Sequence, residues 1–249
     1  GVLYALVALG FVLIFKASGV FNFAQGIMVV FAALALVGLA HMGMPAWVAV
    51  AAAIGIMFLL AVGIERLVLR PLVNQPDIIL LMATIGLTRF LVGLGEMVFG
   101  GEPKVMITEA LGIPTGVLRI PLFGKNLIMK EIDITAAVVA LLMVAFLALF
   151  FARTKIGRAL RAVADDHQAA LSVGISLEKI WVIVWFAAGI VALVTGIMWG
   201  ARSQVSFDLE IIALKALPVL ILGGFTSVPG AIVGGLMIGI GEKMGEIYW

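Results

Sequence analysis

Long apolar stretches, separated by short polar ones, run through the whole sequence. They do not alternate apolar and polar residues, as the lipid-facing strands of a β-barrel do. Most approach the roughly 20 residues that a helix needs to cross a bilayer. The pattern therefore predicts about eight membrane segments, at residues 1–16, 20–40, 46–63, 78–99, 135–152, 179–200, 211–222 and 229–247. The last two are short and surround a glycine- and proline-containing cluster, which indicates broken or re-entrant helices.

Composition strengthens this interpretation. Hydrophobic residues make up 64% of the 249 residues, charged residues only 12%, and the mean hydropathy is +1.26. A soluble domain has about 45–50% apolar and about 25% charged residues. The numbers exclude a soluble enzyme, a disordered chain and a nucleic-acid-binding module. We predict an all-α, polytopic transmembrane bundle that forms a single domain over residues 1–249.

Basic residues set the predicted orientation. Four Lys and Arg residues lie within 153–161, and Arg66 and Arg70 lie in the loop at 64–76. Two crossings separate these loops, so both are predicted to be cytoplasmic. The loop at about 100–134 then lies on the periplasmic side. Its four basic and four acidic residues cancel, and its prolines and glycines favour ordered irregular structure or a hairpin.

Two segments of the sequence resemble each other. ALVALGFVLI (5–14) is followed by FNFAQGIMVV (21–30), and ALKALPVLI (213–221) is followed by FTSVPGAIVG (225–234). Phe21 aligns with Phe225 and Gly26 with Gly230. The similarity reflects either an internal repeat, parallel or inverted, or coincidence between two helices rich in Ala, Leu and Gly. In both copies a helix stops, small and polar residues follow, and a new helix starts.

These two interruptions are the predicted substrate pathway. Interrupted helices at matching positions commonly line a transporter's path, although glycines at a helix crossing also serve simply for close packing. Thr226 or Ser227 is predicted to cap the helix that follows, and Pro229 suits its first turn. Lys215 either extends towards the interface or binds an oxygen atom in the broken region. The predicted pathway residues are Asn22, Gln25, Lys215, Thr226 and Ser227.

The segment at about 153–178 is the only long stretch with the pattern of a soluble amphipathic helix. Gly174 ends the pattern as a predicted C-cap. The helix is expected either to lie on lipid headgroups or to dock into a groove on a soluble partner. Its apolar face has a spacing of three and four residues and consists of Ile156, Leu160, Val163, Ala164, His167, Ala170 and Leu171.

A family resemblance favours the docking alternative. Residues 157–175 resemble the cytoplasmic coupling loop of ABC importer permeases. The chain as a whole resembles the permease subunits of branched-chain (hydrophobic) amino acid ABC importers, through YALVALGF, GVFNFAQG, the coupling loop and LGGFTSVPGAIVGGLMIG, in that order. The resemblance implies that the following residues transmit movement from an ATPase: Gly157, Ala162, Ala164, Asp165, Ala169, Gly174 and Ile175.

The same resemblance implies a set of partners. A permease of this kind works with a second, similar or identical, permease subunit, two ATP-binding subunits and a periplasmic substrate-binding protein, in the bacterial inner membrane. ATP and Mg²⁺ would bind to the partner subunits. This chain is expected to hold no cofactor and no metal, to bind lipid but no nucleic acid, and to have no enzymatic activity, since it contains no phosphate-binding Gly-x-x-x-x-Gly-Lys-Ser/Thr loop.

Some features depart from the family pattern or leave alternatives open. Ile27 stands where the family often has an acidic residue, and members usually extend beyond both ends of this sequence. One alternative is the same type of importer with urea or a short amide as cargo. Another is an ion-coupled carrier or a channel, which the small number of intramembrane acidic residues disfavours. Arg89 and Glu96, seven residues apart in one predicted span, form either a gate or a pair of charges that reach neighbouring helices and the interface.

Overall fold

The structure is a computed structural model and describes residues 1–19, 21–72, 75–105, 107–122, 125–165 and 167–248. The chain folds as a helical bundle with one small hairpin. The elements, in chain order, are α1 (Val2–Ser18), α2 (Gln25–His41), α3 (Ala46–Ile64), α4 (Asp77–Phe99), α5 (Ile107–Leu111), β1 (Val117–Leu122), β2 (Lys125–Lys130), α6 (Glu131–Arg153), α7 (Lys155–Asp165), α8 (His167–Ser172), α9 (Leu177–Arg202), α10 (Ile212–Gly223) and α11 (Val228–Tyr248).

Helices α1 and α2 form the centre of the bundle. Both are apolar on every side, and nearly all of their residues are buried. A helix without a polar face is stable only where protein or lipid surrounds it. Here α1 packs against α9, α10 and α11, whereas α2 packs against α3, α4 and α9. The core of the protein therefore lies around these two helices.

The surrounding helices are longer and expose apolar side chains. α3 continues through a π-helical turn (Glu65–Leu69) and a short 3-10 turn to Leu72. Among the described residues, four helices are long and apolar enough to cross a membrane: Ala46–Leu72, α4, α6 and α9. Residues Phe207–Gly223 and Val228–Tyr248 together form a fifth apolar unit, bent by 115°. This is the fold of a multi-pass membrane protein.

The predicted helices all occur, with shifted ends. α6 begins at Glu131 rather than at 135, and α2 begins at Gln25 rather than at 20. The predicted count of eight membrane segments is not confirmed, because α1 and α2 have only 17 residues each and α10 and α11 form one bent unit. The predicted break between the last two helices is present.

Ion pairs show which loops share an end of the bundle. The guanidinium of Arg70, after α3, pairs with Glu178 in the first turn of α9, so the loops at 64–76 and 153–178 lie together. At the opposite end, Arg202 of α9 pairs with Asp133 of α6 at 3.2 Å. That end carries an antiparallel hairpin in which Val117 of β1 faces Lys130 of β2. The hairpin is one of the two predicted outcomes for the loop at 100–134.

Candidate functional site

The first helix interruption, between α1 and α2, is held by polar contacts of its own. Gly19 ends α1 with a left-handed φ of 70°. The side-chain oxygen of Asn22 accepts the amide of Ala24 at 3.0 Å, and its carbonyl accepts the amide of Gln25 at 3.2 Å. The hydroxyl of Thr84, on α4, accepts the amide of Phe23 at 3.3 Å. Asn22 thus stabilises the turn that starts α2, a typical role of Asn before a helix.

Gln25 is enclosed between helices. Its amide lies against Gly10, where an added Cβ would come within 2.0 Å of Nε2. The amide donates a long bond of 3.5 Å to the carbonyl of Ala188, and its oxygen is buried without a hydrogen-bond partner among the described residues. The cavity beside Asn22 measures about 20 Å³, which is too small for an amino acid. In this conformation both side chains lie within the packed bundle.

The second interruption, between α10 and α11, turns at Gly224 with a φ of 88°. Ser227 caps α11, because its hydroxyl oxygen accepts the amide of Gly230 at 3.0 Å. This confirms one of the two predicted caps, whereas the side chain of Thr226 is exposed. Lys215 lies apart from this turn and pairs with Glu242 of α11 at 3.8 Å. The five predicted pathway residues therefore do not converge on one cavity.

Glycines bring the backbones at the second interruption into contact. A Cβ at Gly223 would lie 2.1 Å from the carbonyl oxygen of Gly230, and a Cβ at Gly230 would lie 1.7 Å from that of Gly223. A Cβ at Gly234 would lie 2.5 Å from the carbonyl oxygen of Val219. Close packing between α10 and α11 therefore accounts for these glycines.

An aromatic cluster joins the two interruptions. The ring of Phe21 stacks on Phe11 with centroids 4.6 Å apart and meets the edge of Phe225 at 6.3 Å. Phe225 also contacts Phe15, and Phe21 contacts Phe23. The two phenylalanines that align in the similar segments are thus neighbours in space. The cluster places the ends of both broken regions beside the C-terminal half of α1.

An open cavity of about 590 Å³ lies on one side of this cluster. Its walls come from α1, the turn before α2, α4, the segment at 203–211 and the first turn of α10, at Ala213 and Leu214. It is lined by aromatic rings and by three charged residues, Arg89, Asp208 and Glu210. Sequence reasoning considered Arg89 but missed the two carboxylates, because SQVSFDLE between two apolar helices has the composition of an ordinary connecting loop.

The segment at 203–211 is wedged between helices rather than looped away from them. A Cβ at Gly26 of α2 would lie 2.7 Å from the carbonyl oxygen of Glu210, and a Cβ at Gly95 of α4 would lie 3.0 Å from the ring of Phe207. Val205 and Lys104 exchange two backbone hydrogen bonds, of 2.9 and 2.8 Å. The connecting segment is therefore fixed at both of its ends.

The predicted coupling segment, at about 153–178, is attached to the end of α6. The hydroxyl oxygen of Thr154 accepts the amide of Gly157 at 3.1 Å and so caps α7. Gly157 is buried against Phe151, whose carbonyl oxygen would lie 1.9 Å from an added Cβ. The guanidinium of Arg161 donates to the same carbonyl at 2.8 Å. α7 is thus attached to the last turn of α6 by two neighbouring contacts.

The apolar face of the coupling segment packs on its own chain. Leu160, Val163 and Ala170 are buried in the core, where α7 contacts α1, α6 and α9. Ala164 and Leu171 are exposed, so only part of the predicted face is covered. Neither of the two predicted fates describes the buried part, since helices of this chain cover it. The side chain of His167 lies outside the described residues.

The end of the segment has the predicted glycine cap. Gly174 has a φ of 82°. Its amide donates to the carbonyl of Leu171 at 3.0 Å, and the amide of Ile175 donates to that of Ala170 at 3.0 Å, which together form a Schellman motif. Of the predicted coupling residues, Gly157 is buried, Ala162 and Ile175 are half-buried, and the rest are exposed, namely Ala164, Asp165, Ala169 and Gly174.

A short charge network connects the coupling segment to α3. Glu65, in the π-helical turn, is buried and pairs with Arg70 at 3.3 Å. Arg70 also pairs with Glu178, two residues beyond the helix cap Ser176. Among the described residues, the structure shows no group of three or more His, Cys, Asp or Glu residues that could hold a metal ion.

A bundle of membrane helices with two interruptions, an open cavity that contains charged residues and a short helical segment packed at one end is the architecture expected of a multi-pass membrane permease. The chain belongs to the family described as branched-chain amino acid transport system, permease component, which matches residues 1–248. The recognised resemblance is thereby confirmed.

Named relatives agree with the family. The chain is 28% identical to the high-affinity branched-chain amino acid transport system permease protein BraD of Pseudomonas aeruginosa, over 98% of this chain and 82% of the relative. It is 28% identical to the corresponding protein LivH of Escherichia coli, over 100% and 83%. It is 30% identical to a probable branched-chain amino acid transport permease protein LivH of Methanocaldococcus jannaschii, over 99% and 78%. No solved structure matches the chain.

Proposed function

We propose that this chain is the membrane-spanning subunit of an ATP-driven importer that moves branched-chain amino acids into the cell. The observation that carries the proposal is the family match over residues 1–248, together with relatives named as branched-chain amino acid permeases that align over nearly the whole chain. These names favour this cargo over urea or a short amide. The subunit is not an enzyme.

The proposed complex contains a second permease subunit, two ATP-binding subunits and an external substrate-binding protein, in the inner membrane of a bacterium. ATP and Mg²⁺ bind to the partner subunits, where hydrolysis supplies the movement. The exposed part of the coupling segment, around Ala164, Asp165 and Ala169, is the surface that receives it. Lipid covers the exposed apolar sides of the outer helices.

The packing of α7 supports a lever role for this segment. Gly157 and Arg161 hold the end of α6, while Leu160 and Val163 are buried beside α1 and α9. A displacement of α7 therefore acts directly on three helices. Because α1 packs in turn against α10 and α11, the movement reaches both helix interruptions through continuous contacts.

Reconstitution of the purified complex into proteoliposomes tests the proposal. We expect uptake of radiolabelled leucine only when ATP is present on the side of the ATP-binding subunits and the binding protein is on the other. An inactive ATP-binding subunit, with its phosphate-binding lysine replaced, serves as the control and should abolish uptake. Leucine uptake by the permease subunits alone, driven by an ion gradient, would contradict the proposal and support a secondary carrier.

A further inference from the structure

The cavity beside the aromatic cluster has the size and chemistry of a binding site. Its volume of about 590 Å³ falls within the range of roughly 300–1,000 Å³ that is usual for small-molecule sites. The rings of Phe11, Phe21, Phe23 and Phe207 supply apolar walls. Arg89, on α4, provides a positive charge, and Asp208 and Glu210, on the segment at 203–211, provide negative charges.

The position of these charges requires an explanation. Arg89 is next to the midpoint of the 23-residue helix α4. A charge at such a depth is costly and is normally paired or placed in a polar cavity. Within the described part of the chain, none of the three side chains has an oppositely charged partner within 4 Å. One cavity thus contains a cation and two carboxylates that do not form ion pairs with each other.

We propose that this cavity binds the amino acid during its passage, an inference that rests on the proposed function. The guanidinium of Arg89 binds the α-carboxylate, since its planar donors suit that group. Asp208 and Glu210 accept hydrogen bonds from the α-ammonium group. The phenylalanine rings contact the branched apolar side chain. Each feature of a zwitterion with an apolar side chain then has a counterpart in the cavity.

The arrangement discriminates between classes of cargo. A neutral amide such as urea offers hydrogen bonds but no charge to pair with Arg89, Asp208 or Glu210, whereas a zwitterion satisfies both signs. An amine without a carboxylate leaves Arg89 unpaired, and a carboxylic acid without an amine leaves the two carboxylates unpaired. The cavity therefore selects molecules that carry both groups.

The backbone that carries the carboxylates is fixed before the substrate arrives. Gly26 and Gly95 contact the segment at 203–211 from α2 and α4, and the paired backbones of Lys104 and Val205 secure its beginning. Fixed groups lose little freedom when they bind a ligand, so such a site binds more tightly than a mobile one of equal chemistry.

Photolabelling of the complete importer in proteoliposomes tests the inference. The probe is a leucine analogue with a diazirine in its side chain, and labelled peptides are identified by mass spectrometry. In the wild type we expect labelling around Phe21, Phe207 or Leu214, competed by leucine. Neither 3-methylbutylamine, which lacks the carboxylate, nor 4-methylpentanoate, which lacks the amine, should compete at equal concentration.

Substitutions test which side chains bind the α-carboxylate and which bind the α-ammonium group. Arg89→Gln should reduce labelling about tenfold, as expected for the loss of a charge-assisted hydrogen bond, and should let 3-methylbutylamine compete as well as leucine. Asp208→Asn combined with Glu210→Gln should instead let 4-methylpentanoate compete. Glu102→Gln, at an exposed position beyond the end of α4 and outside the cavity lining, is the control and should behave like the wild type. A purely structural role of Arg89 does not change which analogue competes.

The outcomes separate the site from the function. Leucine uptake by the wild type with labelling elsewhere, or with unchanged analogue selectivity in Arg89→Gln, overturns the site and leaves the proposed function standing. Absence of ATP-dependent leucine uptake by the wild type overturns the proposed function itself, and the site with it. Labelling in the cavity with the predicted exchange of competitors supports both.

Discussion

The rings of Phe21 and Phe225 meet edge to face with their centroids 6.3 Å apart, although the two residues belong to opposite ends of the sequence. They occupy matching positions in the two similar segments, each at the turn before a helix. Their contact means that the two helix interruptions share one aromatic core. A substitution at one of the two turns is therefore expected to change the packing at the other.

A double-mutant cycle measures this coupling. We expect Phe21→Ala and Phe225→Ala to be non-additive by about 0.5–1.5 kcal/mol in the free energy of unfolding, the contribution of an aromatic pair. Denaturation of the purified subunit in detergent provides the measurement. Phe225→Ala combined with Phe90→Ala, a largely exposed ring on α4, is the control cycle. Additive effects of Phe21→Ala and Phe225→Ala would contradict a shared core.

The contact between Gly223 and Gly230 predicts that one added methyl group at Gly230 strongly lowers the stability of the protein. Gly230→Ala should destabilise the protein by about 1–3 kcal/mol, because its Cβ would overlap the carbonyl of Gly223. Gly241→Ala, on the same helix, should be neutral or slightly stabilising, since its Cβ meets nothing within 4 Å among the described residues. Thermal unfolding in detergent compares the two variants. Equal stability would show that α10 and α11 do not pack through these glycines.

The same reasoning applies to the attachment of the coupling segment. Gly157→Ala would place a methyl group 1.9 Å from the carbonyl oxygen of Phe151 and push α7 away from α6. We expect leucine uptake to fall about tenfold or more, while the subunit still inserts and assembles, because overpacking costs about 1–3 kcal/mol. Gly93→Ala, whose Cβ lies in open space among the described residues, should transport like the wild type. Normal uptake by Gly157→Ala would show that the contact between Gly157 and Phe151 is not needed to transmit movement from the ATP-binding subunits.

Exposed residues of the coupling segment test its role without disturbing the fold. Ala164→Glu adds a charge at an exposed position and should abolish uptake while membrane insertion and yield survive. Ala164→Ser, which keeps the side chain small and neutral, should retain transport. Gly174→Asp should also abolish uptake, since it adds a charge and costs about 1 kcal/mol in a left-handed conformation. Wild-type uptake by Ala164→Glu would remove the coupling role from this surface.

The network of Glu65, Arg70 and Glu178 predicts that substitutions of its members differ in their effect on stability. Arg70→Gln leaves Glu65 buried without its cation and should destabilise the protein by about 1–3 kcal/mol. Glu178→Gln removes only an exposed partner and should cost less than about 1 kcal/mol. Chemical denaturation distinguishes the two. If Glu178→Gln proved the more damaging, the link between α9 and Arg70 would outweigh the burial of Glu65.

Local rules predicted much of this structure. Long apolar stretches located every long helix, because crossing a bilayer imposes a length and a composition that the sequence displays directly. The caps Ser227 and Gly174 were also predictable, since each depends on a few neighbouring residues. The boundary of α2 was not, because Thr84 of α4 also binds the turn before it, through a contact across the bundle.

The cavity could not be derived in the same way. Asp208 and Glu210 line the same cavity as Arg89 only because Gly26 and Gly95 let the connecting segment pack between α2 and α4. No spacing along the chain encodes that approach. Polar residues near a broken helix indicated a pathway, yet Asn22 serves its own turn and Lys215 pairs with Glu242. Which polar groups are available is decided by tertiary packing.

The enclosure of α1 by other helices has a consequence for biosynthesis. Its main neighbours, α9, α10 and α11, leave the ribosome long after it does. During translation α1 must remain in lipid or beside the insertion machinery. The native centre of the bundle forms only after the C-terminal helices have been synthesised. Assembly of this protein is therefore a late and concerted event rather than a helix-by-helix accumulation.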